Sequence, residues 1–101
     1  MNRTAIAQRY RWQFRHGREI DASAPDAWLP AIAELCAGID EAVPALERGG
    51  FYWLDLKEKR GLLAVDFVSP HGSGPTIEAL INRAIEKSLR STRSSPTGLG
   101  A

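Results

Sequence analysis

The chain has 101 residues, 44% apolar and 25% charged, with a formal net charge of +1; one small domain with a single core is expected, and neither disorder nor a globally basic nucleic-acid or membrane binder fits. A lone cysteine, Cys36, excludes an internal disulfide framework and a cysteine-based metal cluster. No apolar run approaches the roughly 18 residues that span a bilayer, and the opening MNRTAIAQRYRW lacks the roughly 7–15-residue apolar core of a secretory signal, so a reducing, cytoplasmic setting is expected.

The charges are placed unevenly: residues 1–22 hold five arginines against Glu19 and Asp21, whereas residues 23–56 hold six acids against Arg48. The basic part contains RYRWQFRH (9–16), where Tyr10, Trp12 and Phe14 alternate with Arg9, Arg11 and Arg15. Interleaved arginines and aromatics can stack on bases while neutralising phosphates. The stretch also fits a helix over residues 3–16, with Ile6, Tyr10 and Phe14 at i, i+4 and i+8 and Gly17 placed to cap the end. Ala5 to Gln8 lead in without the turn residues a strand would need, so a helix is predicted. On a helix the arginines spread around the cylinder and two of the three aromatics turn inward. A packed helix with basic flanks is therefore the first reading, and a nucleic-acid surface on Arg9, Arg11 and Arg15 the alternative.

Residues 18–25 (REIDASAP) read as a loop. Trp28, Ile32, Leu35, Cys36, Ile39 and Val43 then recur at helical spacing up to Pro44, with Asp26 positioned to cap the first turn and Pro30 near enough to the start to be tolerated. FYWLDLKEKRGLLAVDF (51–67) reads as a β-hairpin. A four-residue turn at Glu58–Gly61 would pair Leu56 with Leu63, Leu54 with Val65 and Tyr52 with Phe67 on an inward face. The opposite face would carry Lys57 with Leu62, Asp55 with Ala64, Trp53 with Asp66 and Phe51 with Val68. Pro75 opens a last helix with an inward stripe of Ile77, Leu80, Ile81, Ala84, Ile85 and Ser88. The polar tail from Ser91 to Ala101 is predicted to be disordered, leaving one domain over 1–90. The expected fold is α+β, in the order helix, helix, strand, strand, helix, with the helices on one face of a two-stranded antiparallel hairpin.

These pieces resemble a family of small, uncharacterised proteins carried by phages, prophages and bacterial chromosomes. Its members share an RYPxLF-like segment, a GWxxxIxxLC helix start, a KEKFGxLRFY hairpin and a final helix ending in ExS with TCxxCG. The matching pieces are RYRWQF (9–14), AWLPAIAELC (27–36), KEKRGLLAVDF (57–67) and EKSLRST (86–92). The family's two terminal cysteines are replaced by Arg93 and Pro96, and its hairpin phenylalanine by Arg60, so the zinc knuckle they would form is absent here.

For chemistry, Cys36 falls in the apolar stripe of a helix, where packing is the natural role. His16 and His71 lie 55 residues apart, without the spacing of a helical metal pair. Asp55 and Asp66 share a hairpin face and could pair for acid–base work, but Lys57 shares it too, as expected of a solvated surface. HGSG (71–74) meets a helix start without the lysine of a phosphate loop. No enzyme, metal or cofactor is expected. The favoured reading is a protein-binding module docking through Phe51, Trp53, Asp55, Lys57, Lys59, Arg60 and Asp66; the resemblance to phage-carried proteins implies a target in a host system, for example a defence complex, with the chain an inhibitor of the anti-CRISPR or another anti-defence kind. A homodimer over the same face or a strand edge is a further option.

Overall fold

Asn2 opens the first helix, its side-chain oxygen accepting the Ala5 N–H at 2.7 Å, as a residue of the N-cap set should. The computed structural model describes residues 2–15, 19–69 and 74–94, the last three by their backbone alone. Helix α1 spans Arg3–Arg9, a 3-10 turn follows over Arg11–Gln13, and a second 3-10 turn, Asp26–Trp28, leads into α2, Leu29–Ala42. A 3-10 segment, Ala45–Gly50, joins α2 to the hairpin β1 (Tyr52–Lys59) and β2 (Leu62–Val68), and α3 spans Gly74–Ser94. The α+β order read from the sequence is the order found. Helix α3 runs past residue 90, where the tail was expected to begin; residues 95–101 lie outside those described, as do His16, Gly17 and His71.

The N-terminal helix is shorter than its periodicity predicted. The α-helix gives way after Tyr10 to a 3-10 turn, Arg11–Gln13, over which Trp12 packs against the core, Gln13 is sealed completely and Phe14, just beyond it, is buried. The loop at 19–25 does more than connect. Ile20 and Ala24 are buried, the Asp21 N–H donates to the Leu56 carbonyl at 2.9 Å, and the Ser23 hydroxyl accepts the Glu58 N–H at 3.1 Å. This segment covers the outer edge of β1, satisfying backbone groups that a sheet edge otherwise exposes.

In α2 the whole predicted stripe, from Trp28 to Val43, is buried. Asp26 does not cap it: Trp28 occupies that position without a side-chain bond, and the Asp26 carboxylate accepts from Arg3 at 2.8 Å. Helix α2 packs along α3, which also crosses β2. Contact is closest at Gly38, where a Cβ would stand 2.6 Å from a Leu80 methyl. Lys87 of α3 reaches Glu34 of α2 at 3.1 Å, and Ser88, fully buried, donates to the Ile85 carbonyl within its own helix.

The hairpin departs from the predicted register in two places. Its turn is the two-residue Arg60–Gly61, with φ of 56° and 83°, so Lys59 pairs with Leu62, Glu58 with Leu63, Lys57 with Ala64 and Leu56 with Val65. Two positive φ values match the right-handed twist of the strands. Farther on, Asp55 pairs with Asp66 but Trp53 with Phe67, so Leu54 is an extra residue, a β-bulge. The extra residue reverses the side-chain alternation for everything before it.

Phe51 and Trp53, expected to face outward, therefore join Leu56 and Leu63 inside, at 0% and 1% exposure. Tyr52, expected inside, moves to the outer side opposite Val68. The inner aromatics form one cluster: Phe51 stacks on Phe67 at 5.6 Å between centroids, meets Trp53 edge-on at 5.1 Å and touches Trp12 at 5.9 Å.

A non-glycine residue in the left-handed region costs roughly 1–2 kcal/mol. Replacing Arg60 with glycine or asparagine is expected to raise unfolding free energy by about 0.5–1 kcal/mol in urea titrations, and Gly61→Ala to lower it by about 1 kcal/mol.

Candidate docking surface on the outer hairpin face

With Phe51 and Trp53 inside, the outer face consists of four rows set by the ladder: Lys59 with Leu62, Lys57 with Ala64, Asp55 with Asp66, and Tyr52 with Val68. Of the seven residues assigned to a contact surface, Asp55, Lys57, Lys59 and Asp66 share this face and Arg60 sits in the turn at its end. Asp55, Lys57, Lys59, Ala64, Val65 and Asp66 line a shallow depression. Lys57 Nζ lies 4.0 Å from Asp55 Oδ2, both side chains partly solvated, an ion pair of small energy.

Two apolar residues complete the face: Leu62 is 46% exposed and Val68 36%. Their places on this side of the ladder were legible in the strand alternation. Leu46, in the 3-10 segment before β1, is fully exposed.

The basic N-terminal residues do not form one surface. Arg15 turns its guanidinium onto the backbone, donating to the carbonyls of Trp12 at 2.7 Å, Arg48 at 3.0 Å, Phe51 at 2.8 Å and also Gly49. It serves as a side-chain cap of the Ala45–Gly50 segment, sharing the Arg48 carbonyl with the Phe51 N–H. Arg9 lies against its neighbour Tyr10, with its Cζ 5.7 Å from the ring centroid. Arg11 is exposed and lines a hollow with Ala7, Gln8, Phe14 and Glu19. Arg48 stands 4.7 Å over the Trp12 ring, while Trp12 donates to Asp40 at 2.9 Å.

Behind the face lies a buried polar bridge that the sequence did not reveal. Gln13 accepts the Trp53 indole N–H at 2.8 Å and donates to the Cys36 carbonyl at 2.9 Å, with no exposure to solvent. Cys36 itself is sealed, as its place in the stripe predicted. Burial pushes its thiol up to about 12, with the neighbouring Trp53 side chain opposing the shift. Exposed Asp21 is held below the usual carboxylate range, first by the Ser23 backbone N–H and then by the Ser23 side chain. Among the described residues, no three or more histidine, cysteine, aspartate or glutamate side chains are grouped to hold a metal ion. No described helix is long and apolar enough to cross a membrane.

No family model, curated protein or solved structure matches the chain.

Trp53→Phe, which keeps an aromatic ring but removes the donor to Gln13, is expected to cost about 1–3 kcal/mol, and Trp53→Ala about 3–5 kcal/mol, both by urea unfolding. The Cys36 thiol should react with an alkylating reagent at pH 8 at least about a thousandfold slower in the native protein than in urea, since a pKa three units higher suppresses the thiolate by that factor. The unfolded thiol ionises near 9.0 and the folded one near 12, so stability present below pH 9 declines as the pH rises through that interval.

Proposed function

We propose that the chain acts by occupying the surface of another protein, with no chemistry of its own, and that the outer hairpin face makes the contact. The observation that supports this is the composition of that face. Exposed Leu62 and Val68 flank a set of lysines and aspartates on a rigid two-stranded scaffold whose other side is packed on the helices. Apolar contacts framed by charges that set orientation are what a protein interface uses. Cys36, the one thiol nucleophile in the chain, is sealed in the core, and Arg15 is committed to backbone carbonyls rather than to an incoming phosphate.

The resemblance to phage-carried proteins narrows the partner class. The target in this reading is a component of a host defence complex, and the chain is an inhibitor of the anti-CRISPR kind acting in the bacterial cytoplasm. Such a protein needs a firm surface and no catalytic site.

Capture from a bacterial host lysate tests it. Tagged protein should retain a defence-complex component, with retention falling at least tenfold in Leu62→Glu and Lys57→Glu and unchanged in the Arg9→Ala, Arg11→Ala double variant. Retention indifferent to the hairpin changes would sink the proposal. Binding of a labelled oligonucleotide that weakens steeply with salt and is lost in the arginine variant would install the nucleic-acid alternative instead.

A further inference from the structure

We infer that in the free protein the outer hairpin face is covered by a second copy of the same chain, stacked face to face about a two-fold axis. The inference rests on the reading of this face as a contact surface, and names its first occupant.

The ladder supplies the symmetry. Along β2, Leu62, Ala64, Asp66 and Val68 point outward at intervals of about 6.8 Å. The middle of that row is level with the Leu56–Val65 pair. A two-fold axis lying between two such faces and crossing the strands at that level sets Leu62 against Val68 of the second copy. It sets Lys57 against Asp55 of the second copy, and each contact occurs twice.

The two exposed apolar residues of the hairpin thus cover one another. The Lys57–Ala64 row of each face meets the Asp55–Asp66 row of the other, and Lys59 meets Tyr52. Within one chain those two carboxylates stand directly opposite across the strands, an arrangement that disfavours the pair. The second copy's Lys57 would bring a cation to both.

Lysine and aspartate are thus exchanged at the Lys57 and Asp55 positions, and the exposed apolar residues matched, about one and the same level of the ladder. A foreign partner requires no such relation, whereas an isologous dimer does. The bulge at Leu54 is what creates it, because the extra residue moves Trp53 off this face.

The footprint is small, about 24 Å along the strands and about 10 Å across. Interfaces of this size are weak, so a dimer dissociating in the range of about 10 μM to 1 mM is expected. Salt should weaken it further.

Sedimentation velocity on the purified chain over that concentration range tests the inference. The wild-type mass should rise toward twice the monomer. Lys57→Asp alone and Asp55→Lys alone should stay monomeric, because each sets like charges against each other, and an equimolar mixture of the two should recover the dimer. Leu62→Asp should also stay monomeric. Far-UV circular dichroism and intrinsic tryptophan fluorescence show that each variant is folded. A wild type monomeric throughout, a single variant that dimerises like the wild type, or a mixture that stays monomeric would each overturn it. The readout is the mass of the pure protein. A chain that dimerises yet captures nothing from lysate therefore fails the functional reading alone, and one that captures a partner through this face while remaining monomeric fails this inference alone.

Discussion

The bridge from the Trp53 indole through Gln13 to the Cys36 carbonyl joins three separate pieces of the chain: the 3-10 turn after α1, the middle of α2 and the start of β1. Gln13 is wholly enclosed. A side-chain amide taken out of water costs several kcal/mol unless its hydrogen bonds are remade, so the three elements must meet in the one arrangement that satisfies it. The α1 helix ends at Arg9, and the 3-10 turn that follows holds Gln13 inside, between Trp12 and Phe14. Strand β1 likewise has to present Trp53 on its inner face, which the regular alternation from Leu56 does not allow. The Leu54 bulge is the consequence in the strand, and the 3-10 turn the consequence at the N-terminus.

Reversing the alternation has a second effect on the opposite side. Without the bulge the ladder would carry Trp53 to the outer face opposite Val68, and that face would be more aromatic. With it, the aromatics pack as a four-ring cluster inside. The outer face is left to four short rows of lysine, aspartate and modest apolar side chains, with Tyr52 in the last row. The surface available to a partner is thus decided by a single inserted residue.

The arginines near the N-terminus illustrate how positive charge can be spent inside one chain. Arg3 reaches the carbonyls of Asp21 and Ala24 and the Asp26 carboxylate. Arg15 gathers the carbonyls of four residues around the Ala45–Gly50 segment. Irregular segments have no ladder or helix to satisfy their carbonyls, and a guanidinium with five donors in a planar fork can serve several at once. Two arginines of the basic N-terminal part, Arg3 and Arg15, thus fasten the loops that cover β1 and lead into it.

Sequence periodicity by itself determined the α+β order, the complete inward stripe of α2, the inward set of α3 and the inward placement of Leu56 and Leu63, because each depends on a regular repeat that local geometry preserves. It could not determine where the repeat breaks. The two-residue turn carries an arginine at a positive φ, which no turn preference announces, and the bulge at Leu54 has no signature of its own. Both breaks, and the burial of Trp53 and Phe51 that follows, were decided by the tertiary structure. The physical reason is that an enclosed glutamine needs partners from distant parts of the chain, and strand and helix alike yield their regularity to supply them.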